Sequence, residues 1–313
     1  MAVGVVVNRK NEILLAKRPT EKYMGGYWEF PGGKVEEAES TVRALARELQ
    51  EEVSITLVDC EKLIEISHNY PDKHVLLEVY LVTAFAGNAV GLENQEIRWV
   101  NKDDLEKYSL PPANKPIVTA IHLPREVMIT GAADTVQEFM CKLEASLRGG
   151  INLVQLRAPE LVDDEYLALC AEVRNRFSAF YPGVKFFANC SPTLFPYTGF
   201  ECFHLNSLYL RETESRKDLP DCVLLSASVH NKQELEQAKA LGVDFVYISP
   251  VKETSSHPHV SVLGWDKFSD LVAAATVPVY ALGGLVKSDV QTSILNGAQG
   301  VAAISEYWSD LRA

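Results

Sequence analysis

Short unbroken apolar runs and longer runs with helical spacing alternate along this chain. Met1 to Arg9 (MAVGVVVNR) is almost wholly apolar and predicts a buried strand. Asn8 to Asn11 is turn chemistry, and Glu12 to Arg18 (EILLAKR) is expected to return as its hairpin partner. The spacing then changes: Val42, Leu45, Ala46, Leu49 and Val53 recur on one face of a helix. Glu61 to Ser67 and His74 to Ala86 predict further strands, joined by the turn residues Asn69-Tyr70-Pro71-Asp72. Ile97 to Val100 is a short strand, and Pro111-Pro112-Ala113-Asn114-Lys115-Pro116 leads into a short helix reaching about His122.

Near His122-Leu123-Pro124-Arg125 the rhythm shifts to strand, helix, strand, helix, which puts a domain boundary at 123/124. Strands are expected at Val127–Thr130, Asn152–Leu156, Lys185–Asn189, Cys202–Leu205, Val223–Ser226, Phe245–Ile248, Val279–Ala281 and Gly300–Ala303. Helical stretches such as Asp134–Arg148, Asp163–Phe177 and Lys232–Leu241 separate them. Eight such units predict an α/β fold of the (β/α)₈ TIM-barrel type over residues 124–313, with any site at the carboxyl ends of the strands.

Composition narrows the function. The 313 residues carry a net charge of -12, which argues against duplex nucleic-acid binding, since that needs a basic surface. A phosphorylated small molecule stays open, because a local cation or metal overrides the global field. Six cysteines without a C-x-x-C pair read as reduced thiols of a cytoplasmic protein. No apolar run reaches membrane-spanning length.

The densest chemistry lies between Trp28 and Ile55. Pro31-Gly32-Gly33 allows backbone to approach a ligand closely. Glu48, Glu51 and Glu52 stand at i, i+3 and i+4, so three carboxylates crowd one part of a helix and repel unless a cation intervenes. Hard oxygen ligands suit Mg²⁺ or Mn²⁺. Arg47 can pin a carboxylate or reach a phosphate oxygen. A solvated acidic helix face would explain the three acids alone.

The full spacing decides between these. Gly33, five residues, Glu39, seven residues, Arg47-Glu48-Leu49, one residue, Glu51-Glu52, one residue, Ser54 and Ile55 resembles the Nudix box. Ser54 departs from it, standing where the pattern has glycine. The resemblance implies an α/β/α sandwich over residues 1–123 and a metal held by Glu48, Glu51, Glu52 and the Gly32 carbonyl. Within that family the chain is similar to the MutT branch. That implies substrate contacts at Arg18, Tyr23, Glu29, Phe30, Pro31, Gly32 and Asn114, and an extra acid at Glu93, with Glu96 one slip away. Asn114 could instead cap a helix, Arg18 could be a surface charge, and Trp28 reads as a core aromatic.

The implied reaction is attack of water on a triphosphate, releasing a nucleoside monophosphate and pyrophosphate. Mg²⁺ neutralises the phosphates, Glu93 or Glu52 takes the proton from water, and Lys34 balances charge on the leaving group. Oxidised guanine carries a hydrogen on N7 where guanine has a lone pair. Asn114 with the Phe30 main chain can read that difference, and a buried mismatch of this kind is worth up to about 10⁴-fold. The expected substrate is 8-oxo-dGTP.

The second half resembles the thiamin phosphate synthase/TenI group through Gln155-Leu156-Arg157, Phe203-His204-Leu205, Ser228-Val229-His230, Ser249-Pro250-Val251, Gly283-Gly284-Leu285 and Gly297-Ala298-Gln299-Gly300-Val301-Ala302. This implies a phosphate nest at Gly283, Gly284, Ile304 and Ser305 for a phosphorylated ligand. The synthase pattern is broken elsewhere. Ala158-Pro159 stand where a lysine is expected, Cys190 and Asn206-Ser207-Leu208 where two metal-binding aspartates are expected, and a His257 neighbourhood where a late lysine is expected. His204 and His230 read as structural or as supports behind the ligand-contacting residues. The expected protein is a Mg²⁺-dependent 8-oxo-dGTP diphosphatase carrying a non-synthase barrel as a ligand-binding or regulatory module. The alternatives are hydrolysis of thiamin-precursor pyrophosphates, or a bifunctional protein with synthase-like activity.

Overall fold

The computed structural model describes residues 1–21, 24–69, 74–92, 95–254 and 261–308. It divides into two compact units, Met1–His122 and Leu123–Ala313. Leu123 belongs to the second unit, one residue earlier than the sequence suggests. It is buried there with Val127 and Ile129, so its apolar side chain is claimed by the barrel core.

The first unit runs β1 (Ala2–Val6), β2 (Glu12–Lys17), β3 (Trp28–Glu29), β4 (Gly32–Gly33), α1 (Thr41–Val53), β5 (Thr56–Asn69), β6 (His74–Ala86), β7 (Ile97–Asn101) and α2 (Lys115–His122). Among the described residues, one mixed sheet has the order β4-β1-β6-β5 and a second sheet the order β3-β2-β7. Strand β1 is central because its side chains serve two cores. Ala2 and Val6 pack with Leu45 and Leu49 of α1. Val3 and Val5 pack with Ile117 and Ala120 of α2. Alternation along one strand thus builds the α/β/α sandwich.

Two expectations fail here. The Asn8–Asn11 turn forms, but β1 and β2 are not a hairpin: a single bridge, Val7↔Ile13, joins them before β2 leaves to pair with β7 and β3. Strand β1 pairs instead with β6, in parallel, because that pairing buries it on both faces. On α1, Val42 is 41% exposed and Ala44 is buried in its place. Val42 stands in the first turn, just past the Ser40 cap, and joins no core cluster.

The second unit runs β8 (Glu126–Ile129), α3 (Val136–Arg148), β9 (Leu153–Leu156), α4 (Asp163–Phe177), β10 (Lys185–Ala188), α5 (Phe195–Thr198), β11 (Cys202–Leu205), α6 (Ser207–Glu212), β12 (Leu224–Val229), α7 (Lys232–Ala240), β13 (Phe245–Ile248), α8 (Gly264–Ala274), β14 (Val279–Leu282), α9 (Val290–Leu295) and β15 (Gly300–Ala303). The eight strands close as β10-β11-β12-β13-β14-β15-β8-β9, with every neighbouring pair parallel. Phe187, Phe245, Tyr247 and Tyr280 fill the interior edge to face or tilted. The barrel is therefore a packed core with its opening at one end.

Candidate active site

Helix α1 starts where the Ser40 side chain accepts the Arg43 N–H and ends at Ser54 in the left-handed conformation, φ 58°. Leu45, Leu49 and Val53 anchor it to the sheet. That leaves Glu48 and Glu52 on the side that meets the Gly32–Gly33 corner, with Glu51 turned onto Arg47. The Gly32 N–H donates to Glu52 Oε2 at 3.0 Å. The Glu48 carboxylate lies so close to Gly33 that a Cβ there would meet its carbon at 2.2 Å. Gly32 itself has φ +147°, and a Cβ would come within 2.2 Å of the Ala2 carbonyl oxygen. Both glycines are required by close approach.

Arg47 is the hub of the corner. Its guanidinium donates to Glu39 at 3.1 and 3.3 Å, to Glu48 at 2.9 Å, to Glu51 at 3.2 Å and to the Lys34 carbonyl at 3.0 Å. Held by these carboxylates, the guanidinium is even harder to deprotonate than usual. The hydrogen bonds from Arg47 hold the Glu39 carboxyl below its ordinary range. Sequence reading treated Glu39 only as a motif position; the structure makes it the main partner of Arg47.

The donor set has the chemistry of a hard divalent cation site, with Glu48 and Glu52 flanking adjacent glycines. Among the described residues, no three acidic, histidine or cysteine side chains converge on one point. Glu51 is 60% exposed at the side chain and turned onto Arg47. Lys34 is exposed and meets the corner through its carbonyl.

Beside the corner a pocket is lined by Val3, Arg18, Met24, Glu29, Phe30, Gly32, Val75, Leu77, Pro111, Ala113 and Asn114, together with Met1. Five of the residues expected to contact substrate are thus on one wall system: Arg18, Glu29, Phe30, Gly32 and Asn114. Arg18 is no loose surface charge; it is half-buried and ion-paired with Glu29. Asn114 ends a helical turn, Pro112–Asn114, and is 7% exposed. Its main-chain N–H donates to the Pro111 carbonyl at 2.8 Å. Pro31 does not line the pocket; its carbonyl accepts the Gly4 N–H at 2.8 Å and ties the corner to β1. Trp28 is a core residue, edge-on to Tyr108 at 5.4 Å. Sequence reading missed Met24, Val75 and Leu77, whose apolar side chains carry no motif signal. Tyr23, Glu93 and His257 lie outside the described residues. Glu96 is paired with Lys17 and Arg98, and those cations hold its carboxyl below the ordinary range.

The second unit has a cavity of about 600 Å³ at the carboxyl ends of its strands. Gln155, Arg157, Asn189, Ser228, His230 and Gly283 are among its lining residues, and so is Ile304. Gly283 and Gly284 both have positive φ, but Gly284 packs against the Glu253 carbonyl and lies off the wall, as does Ser305. His204 is structural: fully buried, it bonds Ser226 Oγ and Ser228 Oγ at 2.9 Å each, and burial lowers its pKa to about 3. His230 lines the cavity and bonds Glu234 at 2.9 Å.

Known proteins resemble each of the two units. Residues 2–120 match the family described as NUDIX domain, and residues 126–307 the family described as Thiamine monophosphate synthase. An 8-oxo-dGTP diphosphatase of Proteus vulgaris is 46% identical over 83 residues, which is 26% of this chain and 74% of that protein. The 8-oxo-dGTP diphosphatase of Escherichia coli is 36% identical over 121 residues, 39% of this chain and 94% of that protein. The CTP pyrophosphohydrolase of Escherichia coli is 35% identical over 118 residues, 38% of this chain and 87% of that protein. With its glycine corner, its acidic helix and a closed parallel barrel behind them in sequence, the chain belongs to the Nudix hydrolases over its first unit and to the thiamine monophosphate synthase family over its second.

Proposed function

We propose that the first unit hydrolyses 8-oxo-dGTP to 8-oxo-dGMP and pyrophosphate with Mg²⁺, and that the barrel is a ligand-binding module without synthase activity. One observation carries the substrate assignment: Arg18, the Glu29–Gly32 stretch through Glu29, Phe30 and Gly32, and the distant Asn114 line one pocket that shares Gly32 with the carboxylate corner. The relatives named for 8-oxo-dGTP support the same reading.

Glu48, Glu51, Glu52 and the Gly32 carbonyl would hold the metal, which neutralises phosphate charge when bound. The protein's own contribution is positional. Arg47 spaces the carboxylates of Glu48 and Glu51. Glu52, steadied by the Gly32 N–H, is placed to accept a proton from the attacking water. One P–O bond to that water forms as the bridging P–O bond breaks, and Lys34 would balance charge on the leaving pyrophosphate. Asn114, 7% exposed on the pocket wall, can accept from N7–H of oxidised guanine through its amide oxygen. Against guanine, that acceptor would face a lone pair.

The test is turnover of 8-oxo-dGTP, dGTP, CTP and hydroxymethylpyrimidine pyrophosphate by the full chain with Mg²⁺. The highest kcat/KM belongs to 8-oxo-dGTP, Glu52→Gln removes turnover of it, and Asn114→Ala narrows its advantage over dGTP. Preference for any of the other three substrates would overturn the assignment. Hydroxymethylpyrimidine pyrophosphate is included because a thiamine monophosphate synthase family barrel shares the chain.

A further inference from the structure

The synthase family described by its match to the barrel implies a pocket able to hold a metal-bound pyrophosphate. The lining residues do not fit that group. Among those described, Asp163 is the one carboxylate. Cys190 and Asn206-Ser207 line the wall at the positions where the synthase pattern has acids. Burial pushes the Cys190 thiol up to about 12, so it stays protonated and is a poor partner for a hard cation. No three acidic, histidine or cysteine side chains converge among the described residues.

What the wall offers instead is one cation and a set of neutral donors and acceptors. The Arg157 guanidinium makes no ion pair among the described residues, although its main chain is clamped to Thr130 Oγ1 at 2.8 Å. Gln155 is 3% exposed, and its Oε1 has no hydrogen-bond partner. A buried unpartnered amide oxygen on a cavity wall is costly unless a ligand or water completes it. Ser228 is held in place by the neutral His204 at 2.9 Å. Ile129, Leu161, Leu194, Leu282 and Ile304 supply an apolar side.

We propose that the barrel cavity binds a phosphate monoester directly, through Arg157 and neutral hydrogen-bonding groups, without a divalent cation, and that it does not hold pyrophosphate. A phosphate monoester matches one guanidinium fork and a few donors. Pyrophosphate brings more charge than this wall can offset, and desolvating the excess is unfavourable. This rests on reading the barrel as a binding module, and it is independent of what the first unit hydrolyses.

The experiment is calorimetric titration of the full chain with thiamine monophosphate, dGMP and inorganic pyrophosphate, each in EDTA and in excess Mg²⁺. At least one monoester binds in EDTA with a Kd that Mg²⁺ changes by less than about twofold. Arg157→Ala weakens that binding by about tenfold or more, the range of a lost charge-assisted bond, while Asn114→Ala leaves it unchanged. Pyrophosphate binding, wherever seen, is insensitive to Arg157→Ala. Should Arg157→Ala fail to fold, Arg157→Lys keeps the charge, loses the fork, and weakens the EDTA binding. The proposal is overturned by monoester binding that requires Mg²⁺, by absence of any monoester binding sensitive to residue 157, or by pyrophosphate binding that Arg157→Ala removes. Turnover of 8-oxo-dGTP by Arg157→Ala stays at the wild-type level, so failure here is separable from failure of the hydrolase assignment.

Discussion

The carboxylate of Glu48 rests against the backbone of Gly33, at a spacing where a single added methyl would meet the carboxyl carbon at 2.2 Å. Gly33 is not held at positive φ, so the demand is one of space, not of backbone strain. Gly33→Ala should therefore displace Glu48 and leave the fold. A misplacement of this size costs on the order of 10²-fold in rate. Steady-state kcat and a thermal melt of the same sample check it: activity falls while Tm stays near wild type. Gly32→Ala differs, because its Cβ would strike the Ala2 carbonyl at φ +147°, and there Tm falls as well.

Arg47 holds three carboxylates apart and together at once. Arg47→Gln should lower kcat by about tenfold or more, since Glu48 and Glu51 lose their common cation. The effect on stability depends on pH. Arg47 depresses the Glu39 pKa below the ordinary 4.5. The stabilisation from that pair is fully present above the unfolded value and fades as pH falls through the folded one. Melting curves should show the wild-type advantage over Arg47→Gln at pH 7 shrinking as the solution is taken below the carboxylate range.

Ser54 closes the box helix at φ 58°, ψ 31°, where its N–H reaches back to the Leu49 carbonyl. A non-glycine residue in that conformation costs roughly 1–2 kcal/mol. The looser unfolded chain of a glycine variant returns part of this. Ser54→Gly should then stabilise the first unit by about 1 kcal/mol or less, read as a rise of its Tm or denaturation midpoint.

His204 gives the barrel an acid-sensitive core. Burial lowers its pKa to about 3 from the ordinary 6.5. The folded state keeps the imidazole neutral while the unfolded chain takes up a proton. The contribution is complete above pH 6.5 and is lost progressively as pH falls toward 3, at about 1.4 kcal/mol per pH unit for one group. Urea denaturation of the barrel across that window checks it. His204→Gln, which cannot titrate, should flatten the slope.

The box helix, the glycine corner and the barrel rhythm were legible in the residues because each depends on local spacing. A helix puts Glu48, Glu51 and Glu52 together whatever surrounds it, and strand–helix repetition implies a parallel sheet, for which eight units is the count of a closed barrel. Strand pairing was harder. Asn8–Asn11 has hairpin chemistry, yet β1 and β2 part after one bridge because burial of β1 on both faces outweighs a local turn. Val42 matched the helical period and still ended exposed, since the end of a helix need not be covered.

The amino-acid order alone determined which atoms could do chemistry here: a cluster of hard oxygens beside glycines, an arginine to govern them, and a barrel stripped of acids at two expected positions. Folding decided which of those atoms meet. Val75 and Leu77 reach the pocket beside the carboxylate corner from a strand far along the chain, and Arg47 chooses Glu39, Glu48 and Glu51 over solvent. Apolar walls and ion-pair partners are set by packing between distant segments, and no spacing rule within one segment encodes them.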